Sequence, residues 1–206
     1  MTRASTSGRA VAAALIITAS GMIWYGARIV VFSVHPPRTA EEALAVHWPL
    51  RGVALERQAG IEEASWRAGR DDGAVLEQVL KELLAVRPGY GAGWAALANL
   101  RLARGAAIED VIRCLDLSAW TAPRENGVML ARVDLGLRIW ERLDGPRQLS
   151  IVADLVGIGA ILQEPQMARL RPLLLTRTDE ERAALSALVR TRSGGELPGW
   201  AQWLGL

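Results

Sequence analysis

The sequence is short of most of the side chains that build catalytic and metal centres. It has one cysteine, Cys114, so neither an internal disulfide nor a multi-thiolate metal site is available. Its two histidines, His35 and His47, leave little for a histidine-based metal or catalytic centre. Phenylalanine and tyrosine are nearly missing, and lysine occurs once, at Lys81, so arginine carries almost all the positive charge. Glycine and proline are near average in a chain of 206 residues, which excludes collagen-like and proline-rich linker classes. With half its residues hydrophobic, the chain is long enough for one ordinary domain with a real core.

Charge is unevenly placed. The formal net charge is +2, but residues 1–34 hold Arg3, Arg9 and Arg28 and no acid. The remainder carries 21 basic and 22 acidic side chains, so the body is close to neutral. An electrostatic case for nucleic-acid binding therefore has no footing.

The longest apolar stretch is residues 10–34, interrupted only by Arg28. About 20 helical residues cross a bilayer core of roughly 30 Å, so the segment is read as a transmembrane anchor. Arg28 lies near one end, where its stem can reach the headgroups, and Trp24, Tyr25 and Phe32 fit an interfacial aromatic zone. Two rival readings stay open. One is a cleaved signal peptide, with Arg3 and Arg9 as its basic region and Ala19, Ser20 and Gly21 as the small-residue site; that would leave residues 22–34 on the mature terminus. The other is a buried helix of a soluble protein. A short N-terminus before a first apolar segment predicts that residues 1–9 stay in the cytoplasm and the remainder is translocated, giving a single-pass inner-membrane protein with a periplasmic body.

His35, Pro36 and Pro37 make a stiff exit from the apolar segment. Beyond it the expected fold class is all-α, with helical hairpins over residues 35–192 and a tail over 193–206. Thr39 with Glu42, and Thr178 with Glu181, have capping-box spacing. A first helix runs from Thr39 toward Arg57, with Pro49 as a break, and another covers 61–68. Val75, Leu76, Val79, Leu80, Leu83 and Leu84 mark one apolar face of a helix over 73–86. Further helices are expected over 91–104, 108–118, 123–143, 146–162, 165–175 and 178–190, with a short final turn.

Pro88 and Pro123 stand 35 residues apart, close to the 34-residue period of a known helical repeat. Between them come Trp94, Leu97, Ala98 and the turn glycine Gly105, followed, with one extra residue in the turn, by Ile112 and Ser118. This segment resembles a tetratricopeptide repeat; Arg101, where that family usually has an aromatic, is a departure. The resemblance implies flanking hairpins at 58–88, 123–162 and 165–192 that stack because no hairpin can bury its own face alone. It also implies an adaptor that recognises partner proteins in a helical groove.

The chemistry-bearing residues have ordinary structural readings. Gly89, Gly91 and Gly93 lack the upstream strand and following Lys-Ser/Thr of a phosphate loop, and read as an inter-repeat turn. The acidic pairs at 41/42, 62/63, 71/72, 109/110 and 180/181 fall near helix starts or on short polar faces, where they serve dipoles and caps. Cys114 reads as a buried thiol. No Gly-x-Ser-x-Gly nucleophile motif occurs. No enzyme activity and no cofactor are expected.

The most unusual segment runs from Ser118 through Trp120, Thr121, Pro123, Arg124 and Glu125. One reading makes Trp120 a staple before a Thr121 cap. The other makes Trp120, Arg124, Arg132 and Trp94 a groove that binds a partner or an acidic polysaccharide, since indoles stack on sugars and guanidiniums pair with carboxylates. With Leu117 and the later run from Leu135 to Trp140, the segment also resembles the VpsP type of membrane-anchored protein in bacterial exopolysaccharide synthesis. That resemblance implies a helper among the proteins of envelope polysaccharide assembly or export.

Overall fold

The computed structural model describes residues 6–46 and 50–206. Every regular element among them is helical. The helices are α1 (Thr6–Val34), α2 (Ala40–Ala45), α3 (Arg51–Arg67), α4 (Ala74–Val86), α5 (Gly91–Ala103), α6 (Ile108–Thr121), α7 (Asn126–Arg138), α8 (Gly145–Gly159), α9 (Glu164–Leu175), α10 (Asp179–Arg192) and α11 (Gly199–Leu204), with a 3₁₀ turn at Trp140–Arg142. The chain divides into two units, Met1–Ile61 and Glu62–Leu206, with the boundary inside α3. His47, Trp48 and the break expected at Pro49 lie outside the described residues.

In the first unit, α1 is apolar and long enough to cross a membrane over Ala14–Val34, and none of that span is buried. Thr39 caps α2 by accepting from the Glu42 amide at 3.2 Å, and the Glu42 carboxylate accepts from the Arg38 amide at 2.8 Å.

In the second unit, the expected apolar face of α4 is buried at Leu76, Val79, Leu80, Leu83 and Leu84, but Val75 points to solvent. The start of α4 is built by two aspartates: Asp71 accepts from the Gly73 amide and Asp72 from the Ala74 amide. Gly73 is left-handed at φ 77°, and an added Cβ would lie 2.5 Å from Leu100. Its sequence position therefore demands glycine twice over.

Helices alternate in two series. α4, α6, α8 and α10 begin at 74, 108, 145 and 179, and α5, α7 and α9 begin at 91, 126 and 164. α5 packs on α4 and α6; α7 packs on α5, α6, α8 and α9; α10 packs on α8 and α11 on α9. One core joins Val133 and Leu137 of α7 to Val152 and Leu155 of α8, Leu170 and Leu174 of α9, Leu185 and Val189 of α10, and Leu204 of α11.

Several expected boundaries move: the helix expected over 61–68 is the end of a continuous α3, and α8 stops at Gly159 rather than at 162. α6 continues through Thr121, whose hydroxyl donates to the Leu117 carbonyl at 2.7 Å inside the last turn. Thr121 is thus the end of one helix, not the cap of the next. Pro123 lies in the connection, and α7 starts three residues later and stops at Arg138. Proline fits a first helical turn, but Pro123 and Arg124 form a turn and Glu125 is extended before α7 begins.

Candidate functional site

The four residues singled out in the sequence do not form one open groove. Arg132 is 1% exposed. Its Nε and Nη2 donate to the two carboxylate oxygens of Asp154 on α8, at 2.7 and 2.9 Å. Its Nη1 donates to the Ser118 and Ala122 carbonyls at 3.2 and 3.0 Å. The reason is register. Arg132 follows the buried Leu97 by 35 residues and occupies the same inward position on α7, so its charge must be met inside. It caps the carboxyl end of α6 and braces α7 to α8. Burial pushes Asp154 above the usual carboxylate range, against the pull of the Arg132 guanidinium.

Trp94 is half-buried, and its indole N–H donates to the Pro88 carbonyl at 2.8 Å, which ties the α4–α5 turn to α5. Trp120 is 80% exposed at the end of α6, and Arg124 is exposed in the link that follows. Of the other tryptophans described in this unit, Trp66, Trp140 and Trp200 are half-buried rather than core, and Trp203 is exposed. Trp200 closes on α8 where Gly159 has no side chain; a Cβ there would lie 2.2 Å from the ring. Cys114 is buried, and burial raises its thiol despite the Arg101 guanidinium 3.3 Å away. That is the environment of an inert thiol.

A different set of residues forms the most organised polar surface of this unit. Between α5 and α7 lies a groove of about 270 Å³ with a floor of small side chains, Ala92, Ala95, Ala96, Gly127 and Ala131. Asn99, Glu125, Asp134, Arg138 and Arg169 also line it, and all of these but Glu125 border a neighbouring hollow with Trp66 and Leu173. Asp134 is almost fully buried and accepts from Arg138 Nη2 at 2.8 Å and from Arg169 Nε and Nη2 at 3.0 and 2.8 Å. Arg138 Nη2 also donates to Asn99 Oδ1 at 2.6 Å. One carboxylate on α7 therefore orients a guanidinium from its own helix and one from α9. The Asp134 hydrogen bond also holds Arg169 more firmly in its charged form.

The Arg169 side chain remains 59% exposed and that of Arg138 34%. Two preoriented cations on one buried anion keep N–H groups open to an acceptor, while Arg67 with Glu63 and Glu125 brings the charged groups of the groove lining to an even balance. Glu63 and Arg67 pair at 2.6 Å on the same rim.

This set was legible in part. Asn99, Asp134 and Arg169 are spaced by 35 residues each, the same interval as Pro88 and Pro123, and Asp134 and Arg138 have i,i+4 spacing. Applying the repeat interval to polar positions as well as to apolar ones would have aligned them. The acidic pairs mostly do sit at helix starts: Glu41 and Glu42 on α2, Glu109 and Asp110 on α6, and Glu180 and Glu181 on α10. Glu62 and Glu63 do not; they fall late in α3.

Comparison with protein-family models finds no match, nor does comparison with curated proteins or with solved structures.

Proposed function

We propose that this protein is a non-enzymatic, membrane-anchored adaptor whose helical hairpins, tetratricopeptide-like in arrangement, hold a partner protein in the groove between α5 and α7. The supporting observation is the groove itself: α5, α7 and α9 lie in sequence, small residues open a channel between the first two, and oriented arginines border it. Such a floor admits a backbone closely, while the rim supplies directional hydrogen bonds. α1 serves as the anchor, with Arg3 and Arg9 on the cytoplasmic side of the inner membrane and the body in the periplasm. Tethering raises the effective concentration of the groove near membrane partners. The resemblance of the segment around residues 117–140 to exopolysaccharide helpers makes envelope polysaccharide-assembly proteins the partner class.

The test is site-directed photo-cross-linking in membranes of the native host. A photoreactive residue replacing Ala96, in the groove, should yield a discrete adduct with an assembly protein. The same group replacing Arg113, exposed on α6, should not. Arg169→Gln should reduce the groove adduct severalfold. Identical adducts from both positions, or none from the groove, refute the reading.

A second reading rests on Trp120. An indole 80% exposed beside exposed Arg124 has the chemistry of a stacking platform for an acidic polysaccharide. It predicts measurable retention on an acidic polysaccharide column that Trp120→Ala abolishes, with groove variants unaffected.

A further inference from the structure

Arg28 is the only charge in residues 10–34. Every described side chain over residues 14–30 is exposed except that of Arg28, which is half-buried. Its guanidinium lies over the Trp24 ring, 4.2 Å from the centroid. A hollow of about 440 Å³ opens beside it. One wall is the face of α1 bearing Trp24, Ala27, Arg28 and Phe32; the other is Ala45, Val46 and Leu50, brought back by the turn at His35 and Pro37. Among the described residues, no acid lines the hollow.

On the reading of α1 as an anchor, Arg28 lies six residues from the helix end, or about 9 Å along the axis. That depth is near the level of the headgroups on the exit side, and a guanidinium there requires a counter-charge. The described residues supply a cation–π partner but no anion in this pocket. The membrane can supply one: a phosphodiester takes two parallel N–H bonds from guanidinium, and the apolar walls suit the glycerol backbone and the first methylenes of the chains. A headgroup with its own ammonium is disfavoured, because the Trp24 face already carries one cation.

We infer that the hollow formed by Trp24, Arg28, Phe32 and the returning segment at Ala45 and Val46 is a binding site for an anionic phospholipid of the exit leaflet, held through its phosphate by Arg28. The inference rests on the anchor reading, and the experiment separates the two. Full-length protein is reconstituted in phosphatidylcholine vesicles and in phosphatidylcholine with phosphatidylglycerol, and flotation reads insertion. Native mass spectrometry of protein released from the mixed bilayers then counts retained lipids of each kind.

The expected result is flotation with both compositions and retained phosphatidylglycerol enriched about fivefold over its bulk share. Arg28→Gln should float but lose the enrichment, and Arg38→Gln, whose residue is outside the hollow, should keep it. Flotation with lipids retained in bulk proportion overturns the lipid site and leaves the anchor standing. Equal loss in both variants also overturns it, since the effect is then general charge. Failure of the wild type to float removes the anchor and the site together.

Discussion

Replacing Arg132 with methionine should cost the second unit a large share of its stability. The substitution keeps the length of the side chain and removes the charge. Asp154 is then left as a buried carboxylate with neither of its hydrogen bonds from Arg132, and the Ala122 carbonyl at the end of α6 loses its donor. The Ser118 carbonyl keeps the Ala122 amide at 3.0 Å, so it is not orphaned. Breaking a buried ion pair by removing one partner costs about 3–5 kcal/mol, against a total of roughly 5–15 for a domain. Removing Asp154 as well, in Arg132→Met/Asp154→Leu, should return most of that loss, because two apolar groups leave no unpaired charge. A remaining deficit of about 1 kcal/mol is expected for the carbonyl. The assay is equilibrium urea unfolding of the full chain in detergent, followed by circular dichroism, with a double-mutant cycle across the pair. Coupling of about 2 kcal/mol or more is expected, within the range for residues in direct contact. A single Arg132→Met variant within 1 kcal/mol of wild type, or coupling near zero, would show that the brace is not buried as described.

Glu77 on α4 bridges Lys81 at 2.8 Å and also meets Arg101 of α5 and Arg104 just after it, and the Lys81 hydrogen bond is the main reason its carboxyl is held below the usual range. A depressed carboxyl stabilises the fold above its ordinary pKa and loses that contribution as pH falls through the depressed value. Glu77→Gln should therefore cost roughly 0.5–1 kcal/mol at pH 7 and nothing at strongly acid pH, read from urea midpoints across pH; a pH-independent deficit would contradict the sign. At Gly91 an added Cβ would lie 2.3 Å from the Ala122 Cβ, and because neither atom can rotate away the backbones must separate. Gly91→Ala should lower stability by about 2 kcal/mol in the same assay, and an unchanged midpoint would refute the close approach. Trp120→Ala should leave the midpoint within about 0.5 kcal/mol, because so exposed an indole contributes little to the core; a larger loss would mean that Trp120 packs.

Helix content and most helix ends could be read from capping residues and apolar spacing, since those signals are local. Thr39 with Glu42 and Thr178 with Glu181 cap helices where expected. The end of α6 could not be placed, because Thr121 and Pro123 carry signals for a start, whereas Thr121 closes α6 and Pro123 lies in the turn after it. Arg132 was misplaced for a similar reason. An arginine reads as solvent-facing unless its partner is seen, and Asp154 is 22 residues away on another helix. A cue did exist, as Asp154 interrupts the otherwise apolar face of Ile151, Val152, Leu155 and Ile158 on α8. An acid inside such a face demands a buried cation, and the repeat interval from Leu97 points to Arg132.

The two arginine clusters of the second unit differ in how far they are closed to solvent. Arg132 uses four contacts with protein groups and is shut from solvent, so its energy is committed to holding three helices in register. Arg169 and Arg138 also converge on a buried acid, yet both keep part of their surface open at the groove. Asn99, Asp134 and Arg169 stand one repeat interval apart on α5, α7 and α9, and Arg138 links the first to the second. Any ligand that drew Arg169 or Arg138 off Asp134 would leave that carboxylate short of donors in a buried position. The groove should therefore favour acceptors that add to the existing hydrogen bonds over those that replace them. A carbonyl or carboxylate approaching the open N–H groups meets that condition, and a cation does not.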